Sequence, residues 1–467
     1  MSREIVVPAG EIVSRPKRGG LYMWALAALV GVLVGLVIFV FHGLIAYGQF
    51  IAYGASPGRL ASRLVDMPWW SRLIAPMVGG ALICLLLRLG ISFGWGRSPR
   101  TFGLQDVVQH RRLRGTIRAT TLTLRDGFLS AITAVVSLAW GGSAGREEPA
   151  AHLGATVAVL HGRLLGLDVA ARRLLIGMGV GAAIGASLHA PIAGVFLARE
   201  LILRRQRLSA LGPVAIAAAA AWLMSMWLMG GRPVIVIPPP GEVPLQAHLA
   251  AIVALPVLIA AAYACNVAWT RAPILAAATA GRMRIPLWLL PLPGGLALGV
   301  IALAFPQVLG IGYEPLASGL NGNYGAELLP VLALAKIAAT GVTFAFRWGG
   351  GAVSPSLYVG AMLGAALGAV AGLVLGIPAP QAFMGLVGMA VCLAVLSDSP
   401  FAATILVLEL SGSTAVGATS LFCCFIACMS PAGSPRSPLT RPARPCAGAD
   451  AQRLLSSRPG AGRKGCA

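Results

Sequence analysis

Residues 141–155 read GGSAGREEPAAHLGA, and they follow a stretch from Phe128 to Trp140 that carries no charge. Arg146, Glu147 and Glu148 stand side by side between glycines and Pro149, and an apolar helix-like run resumes behind them. Proline suits the first turn of a helix, because the N–H it lacks would have no intrahelical partner there. The stretch therefore predicts a loop feeding a helix that starts inside the apolar region. Its exposed N–H groups and positive dipole end form a place for an anion without any fixed cation.

The surroundings make that reading a membrane one. The 467 residues are 57% hydrophobic and 11% charged, with mean hydropathy +0.82. Soluble domains carry about a quarter charged residues. Apolar segments recur at about 20–48, 71–94, 122–140, 150–166, 171–188, 190–203, 211–231, 247–275, 284–305, 326–346, 351–376, 380–397 and 400–429. Several are too short for a ~30 Å hydrocarbon core at about 1.5 Å per residue. Many are interrupted near Pro149, Pro191, Pro355 and Pro400. Broken helices are tolerated at membrane depth where they line a polar cavity, which points to transport rather than anchoring.

No cleavable signal peptide is expected, since the run Leu21–Phe41 is too long for one. Residues 1–19, with Arg3, Arg15, Lys17 and Arg18, read as a cytoplasmic leader. The net charge of +21 gathers between apolar runs, in Arg97–Arg125 and at Arg204, Arg205 and Arg207. That is the pattern of positive-inside loops, and it excludes a nucleic-acid module, which would collect its basic residues on a soluble domain. The eight cysteines are scattered; Cys423, Cys424 and Cys428 lie in an apolar run with no histidine close by and read as buried small hydrophobes. Neither a metal site nor a cofactor is expected.

The opening stretch has a counterpart. Pro149 is followed by AAHLGA and Pro355 by SLYVGA, and each is entered through glycines. Further on, HAPIAGVFLARELIL (189–203) matches DSPFAATILVLELSG (398–412), with Pro191 and Glu200 spaced as Pro400 and Glu409 are. The chain thus divides into two repeats, 20–231 and 247–429, with a site between them. The residues themselves leave open whether the repeats are parallel or inverted. From 430 to 467 the sequence is rich in Pro, Arg, Ser and Gly and is read as a disordered or aberrant tail.

These segments resemble the CLC chloride channels and chloride/proton exchangers. GREEP (145–149) is similar to the family's G-K/R-E-G-P motif, and GGAVSPSL (350–357) to its G-G-x-F-x-P stretch. HAPIAGVFLARE and SPFAATILVLELSG resemble the N-A-P-L-A-G and A-P-L-T-G segments, and the four occur in the family's order. The resemblance implies an all-α polytopic membrane protein, an inverted repeat of tilted and broken helices. It further implies a homodimer with one pore per subunit in a bacterial inner membrane, carrying chloride or another small anion. Nucleic acid is not an implied partner; membrane lipid is.

Carried over by position, Glu147 matches the external gating glutamate. Arg146, Glu147 and Glu148 occupy the first anion-binding helix end, and Ala352 and Val353 the second. Glu148 stands where the family has glycine, and Val353 where it has phenylalanine. The inner serine position falls on Phe102, with Thr101 the nearest hydroxyl. The family's central tyrosine lies beyond the last matching segment. At the internal proton-transfer position of the exchangers this chain has Leu201 beside Glu200. Passive, voltage- or pH-gated chloride conduction is the leading reading. Chloride/proton antiport and a truncated, inactive transporter are the alternatives. His189, and Asp398 with Ser399, are expected to form matching turns. A membrane-embedded hydrolase would pair Ser143 with His152 or His189, a reading that leaves the repeat unexplained.

Overall fold

The computed structural model describes residues 20–92 and 124–430, apart from 168, 205–207, 232–233, 238–239 and 377–379. The leader, the segment holding Thr101 and Phe102, and residues 431–467 lie outside the described residues. Within them the chain forms sixteen α-helices and no strand beyond one isolated bridge. Helices are the expected outcome for a chain of this hydropathy, because they satisfy every backbone group internally in lipid.

The first repeat begins with α1 (Gly20–Tyr53), the short α2 (Leu60–Asp66) and α3 (Trp69–Ser92). It continues with α4 (Leu124–Ala139), α5 (Glu147–Leu164), α6 (Val169–Leu188), α7 (Pro191–Leu197) and α8 (Leu211–Met229). The second repeat opens with α9 (Leu245–Arg282) and α10 (Pro291–Ala304), then α11 (Tyr313–Leu320) and α12 (Leu328–Ala345). It closes with α13 (Val353–Leu375), α14 (Pro380–Ser397), α15 (Pro400–Ser411) and α16 (Gly417–Met429). Eight of the described helices are long and apolar enough to cross a membrane. Leu21, Trp227, Val253 and Leu373 on the outer surface are each more than three-quarters exposed, as suits contact with lipid chains. The seven residues of α7 reach about 10 Å and cannot cross.

The contacts between repeats are reciprocal. A Cβ on Gly80 of α3 would stand 2.4 Å from the Pro291 carbonyl of α10, and one on Gly295 of α10 would stand 2.3 Å from the Pro76 carbonyl of α3. Within the first repeat, Gly154 and Gly179 bring α5 and α6 together in the same way that Gly360 and Gly388 bring α13 and α14 together. Such small-residue contacts are how helices approach closely where no hydrophobic effect drives them. His189 and Asp398, each two residues before a helix-starting proline, share the left-handed conformation at φ 54° and 55°. The predicted matching turns are present.

Glutamates at the far ends of α7 and α15 complete the pattern. The Glu200 carboxylate accepts the N–H groups of Phe401 (3.3 Å) and Ala402 (2.8 Å) at the start of α15. The Glu409 carboxylate accepts those of Ile192 (3.0 Å) and Ala193 (2.7 Å) at the start of α7. Each helix's tail caps the other's head, so the two run antiparallel. Residue i touching j′ while j touches i′ is the mark of a two-fold relation. Because α3 and α10 are also antiparallel across their glycine contacts, the axis lies across the helices rather than along them. The repeats are inverted.

Candidate functional site

The two glycine-rich loops meet on that axis. The Gly145 amide donates to the Gly351 carbonyl at 2.7 Å and the Gly351 amide returns the bond to the Gly145 carbonyl at 2.8 Å, an antiparallel bridge. Two residues after each glycine a helix begins, α5 at Glu147 and α13 at Val353. The loops leave their preceding helices alike as well: Gly142 N–H donates to Ser137 O (2.7 Å), and Trp348 N–H to Thr343 O (3.0 Å). Two positive helix ends are thus brought to one place in the interior, where their dipoles reinforce each other.

That place holds two carboxylates. Glu147 is fully buried. Its Oε1 accepts from the Tyr313 hydroxyl, and its Oε2 from the Ser354 hydroxyl at 2.5 Å. Ser354 and Tyr313 hydroxyls are themselves 2.9 Å apart. Glu148, also buried, sends Oε1 to the Ala352 N–H at 2.6 Å. Both side chains start on α5 yet end on the entry to α13, which has a valine and a serine where α5 has its two acids. Absent side chains make room for them. A Cβ on Gly145 would lie 2.4 Å from Glu147 Oε2, and one on Gly351 would lie 2.6 Å from Glu148 Cβ.

Arg146 does not reach either carboxylate by a direct bond. Its guanidinium lies over the Tyr313 ring, 5.6 Å from the centroid, and Nη2 donates to the Ser187 carbonyl at 3.5 Å. A cation over a ring face is favourable, by about 0.5–2 kcal/mol depending on desolvation. Arg146 therefore braces the ring whose hydroxyl holds Glu147.

Tyr313, Ser354 and Lys336 complete the site without having been singled out in the sequence. Tyr313 opens α11 after Gly310 and Gly312, whose φ values of 64° and 90° suit glycine. This third glycine-rich helix entry was the available signal. Lys336 of α12 is fully buried, and its Nζ donates to the carbonyls of Val308 (3.0 Å), Gly310 (2.9 Å) and Ile311 (3.5 Å). It fixes the loop that delivers Tyr313. A lysine in an apolar run is itself a signal.

Leu201 is buried in a π-helical turn, Ala198–Ile202, at the end of α7. Ser143 Oγ donates to Val308 O at 2.8 Å and lies 3.2 Å from Thr340 Oγ1, so its bonds are to the scaffold and the hydrolase pairing is not formed. His152 is buried within α5, and His189 Nε2 is 3.3 Å from Ser225 Oγ. Cys423 and Cys424 are buried and Cys428 is partly buried, all free thiols.

Comparison with known proteins agrees with this architecture. The chain is 29% identical over 424 residues to chloride channel protein CLC-e of Arabidopsis thaliana, covering 83% of this chain and 56% of that protein's length. It is 27% identical over 417 residues to the voltage-gated ClC-type chloride channel ClcB of Salmonella typhi, covering 86% of this chain and 94% of ClcB. Its fold is similar to that of a slow cyanobacterial Cl−/H+ antiporter, with TM-score 0.76 at 19% identity, over 93% of this chain and 98% of the other. The family model described as voltage gated chloride channel matches residues 79–431. With its four motifs, its inverted repeats and three-quarters of its length matched, the chain belongs to the CLC family of voltage-gated chloride channels, a family of membrane transporters.

Proposed function

We propose that this protein carries chloride or a similar small anion across the membrane by passive, gated conduction, with Glu147 as the gate. The observation that carries the reading is the position of the Glu147 carboxylate. It is fully buried where the two inverted helix ends meet, held by the hydroxyls of Tyr313 and Ser354. A dehydrated anion is best held by these partial charges, which bind without trapping it. A carboxylate in that place competes with the ion. On protonation it loses its charge, and the hydroxyls and helix-end N–H groups are left to the anion. Arg146, Glu147 and Glu148 contribute the first helix end, Ala352 and Val353 the second, and Thr101 and Phe102 the inner contact.

Leu201 favours passive flow over coupled exchange. Its side chain is aliphatic and buried at the position where the family resemblance puts a proton acceptor, so a proton moving toward Glu147 finds no carboxylate relay there. The second reading is chloride/proton antiport, supported by the likeness in fold to a Cl−/H+ antiporter. The working unit is a homodimer with one pore per subunit, in a bacterial plasma membrane. The test is paired recording of chloride and proton movement from proteoliposomes under a chloride gradient. Passive conduction gives chloride efflux without protons driven uphill; exchange gives protons moving in fixed proportion. Absence of chloride flux from folded protein would overturn the transport reading.

A further inference from the structure

We infer that Glu148 is a tethered anion: its carboxylate fills the second repeat's half of the anion site, and chloride binds there only by displacing it. The inference rests on the anion-transport reading above and adds to it a second internal competitor, one residue beyond the gate.

The course of the side chain carries the argument. A glutamate in the first turn of a helix ordinarily complements the dipole of its own helix. Glu148 instead leaves α5 and crosses the repeat interface, where Oε1 accepts the Ala352 N–H at 2.6 Å. Ala352 is the N-cap residue of α13 and has no side-chain cap of its own. The Glu148 stem is laid along Gly351, where an added Cβ would stand 2.6, 2.7 and 2.8 Å from its Cβ, Cγ and Cδ. The stem therefore runs through space that only a residue without a side chain leaves open.

Glu147 takes the neighbouring donor, Ser354 Oγ, two residues further along the same helix entry. Two donors that would serve one anion are thus each held by a different carboxylate. With Glu147 displaced, Glu148 still occupies the main-chain half of the site. Opening the gate alone gives an incoming ion only part of its binding energy. A charge-assisted hydrogen bond of this kind represents about 1.5–3 kcal/mol, or about tenfold to hundredfold in affinity.

The experiment is calorimetric titration of the purified full-length protein with sodium chloride, comparing wild type, Glu147→Ala, Glu148→Gly and Glu148→Ala. Glu148→Gly is expected to bind chloride about tenfold or more tighter than wild type, and Glu148→Ala to do the same should the glycine variant fail to fold. A purely structural cap would lower stability and leave affinity unchanged. If both Glu148 variants stay within about twofold of wild type while Glu147→Ala binds more tightly, Glu148 is a cap only and the inference is overturned, with the transport reading intact. If no variant binds chloride, both fall.

Discussion

Gly145 and Gly351 exchange backbone hydrogen bonds at 2.7 and 2.8 Å, joining the two inverted repeats at the point where α5 and α13 begin. Each glycine also leaves the space that one acidic side chain fills. Gly145 lies under the Glu147 carboxylate and Gly351 under the Glu148 stem. The same bridge that makes the fold two-fold thus seats two carboxylates on one helix end.

The two glycines respond differently to an added methyl. At Gly145 the nearest obstacle is a carboxylate oxygen at the far end of a side chain, which can swing away, and behind it the Ser354 amide nitrogen stands in tight contact at 3.0 Å. Gly145→Ala is expected to unseat Glu147 and raise anion flux at neutral pH. At Gly351 the obstacle is the Glu148 stem beginning at its Cβ, which cannot move without its helix. Gly351→Ala is expected to cost about 1–3 kcal/mol of stability through overpacking. Thermal melts in detergent alongside efflux assays separate the two effects.

Tyr313 holds Glu147 through one hydroxyl. Tyr313→Phe keeps the ring under Arg146 and removes the donor. Losing a hydrogen bond to a charged acceptor costs the closed pose about 1.5–3 kcal/mol. Efflux at neutral pH should then rise about tenfold or more, with little change in melting temperature. An unchanged rate would mean that the hydroxyl does not hold the gate.

Lys336 holds the loop that carries Tyr313, through the carbonyls of Val308 and Gly310. Lys336→Met preserves the packing volume and leaves those carbonyls without their donor. The expected cost is about 1–3 kcal/mol for each buried group left unpaired, read as a lower melting temperature. Because Tyr313 loses its footing as well, the variant should also leak anions at neutral pH.

Glu200 and Glu409 are structural by the same geometry. Each caps the helix that bears the other, so Glu200→Ala and Glu409→Ala should each cost about 0.5–2 kcal/mol. Protein that folds should keep the wild-type pH profile of efflux. A shifted profile in Glu200→Ala alone would assign that residue a part in proton movement.

Much of this was legible because proline and glycine act on the backbone. Pro149, Pro191, Pro355 and Pro400 mark helix starts, and the structure begins α7 and α15 on two of them and α5 and α13 two residues before the others. Glu200 and Glu409 were readable as a pair from their equal spacing to Pro191 and Pro400. Orientation was not readable, since an inverted and a parallel repeat share one spacing; the reciprocal caps and glycine contacts decide it. Tyr313 and Ser354 escaped because their role depends on contacts with Glu147 166 and 207 residues away. Glu148 had no physical role in the sequence, because the group it satisfies, the Ala352 N–H, belongs to the opposite repeat.

The central claim is that the Glu147 carboxylate and the transported anion compete for one place. Chloride efflux from liposomes at one fixed neutral pH, recorded for wild type and Glu147→Ala, tests it most directly. Glu147→Ala, with no carboxylate to hold the place, should release chloride about tenfold or more faster than wild type. A folded Glu147→Ala protein that releases chloride at the wild-type rate would contradict the account.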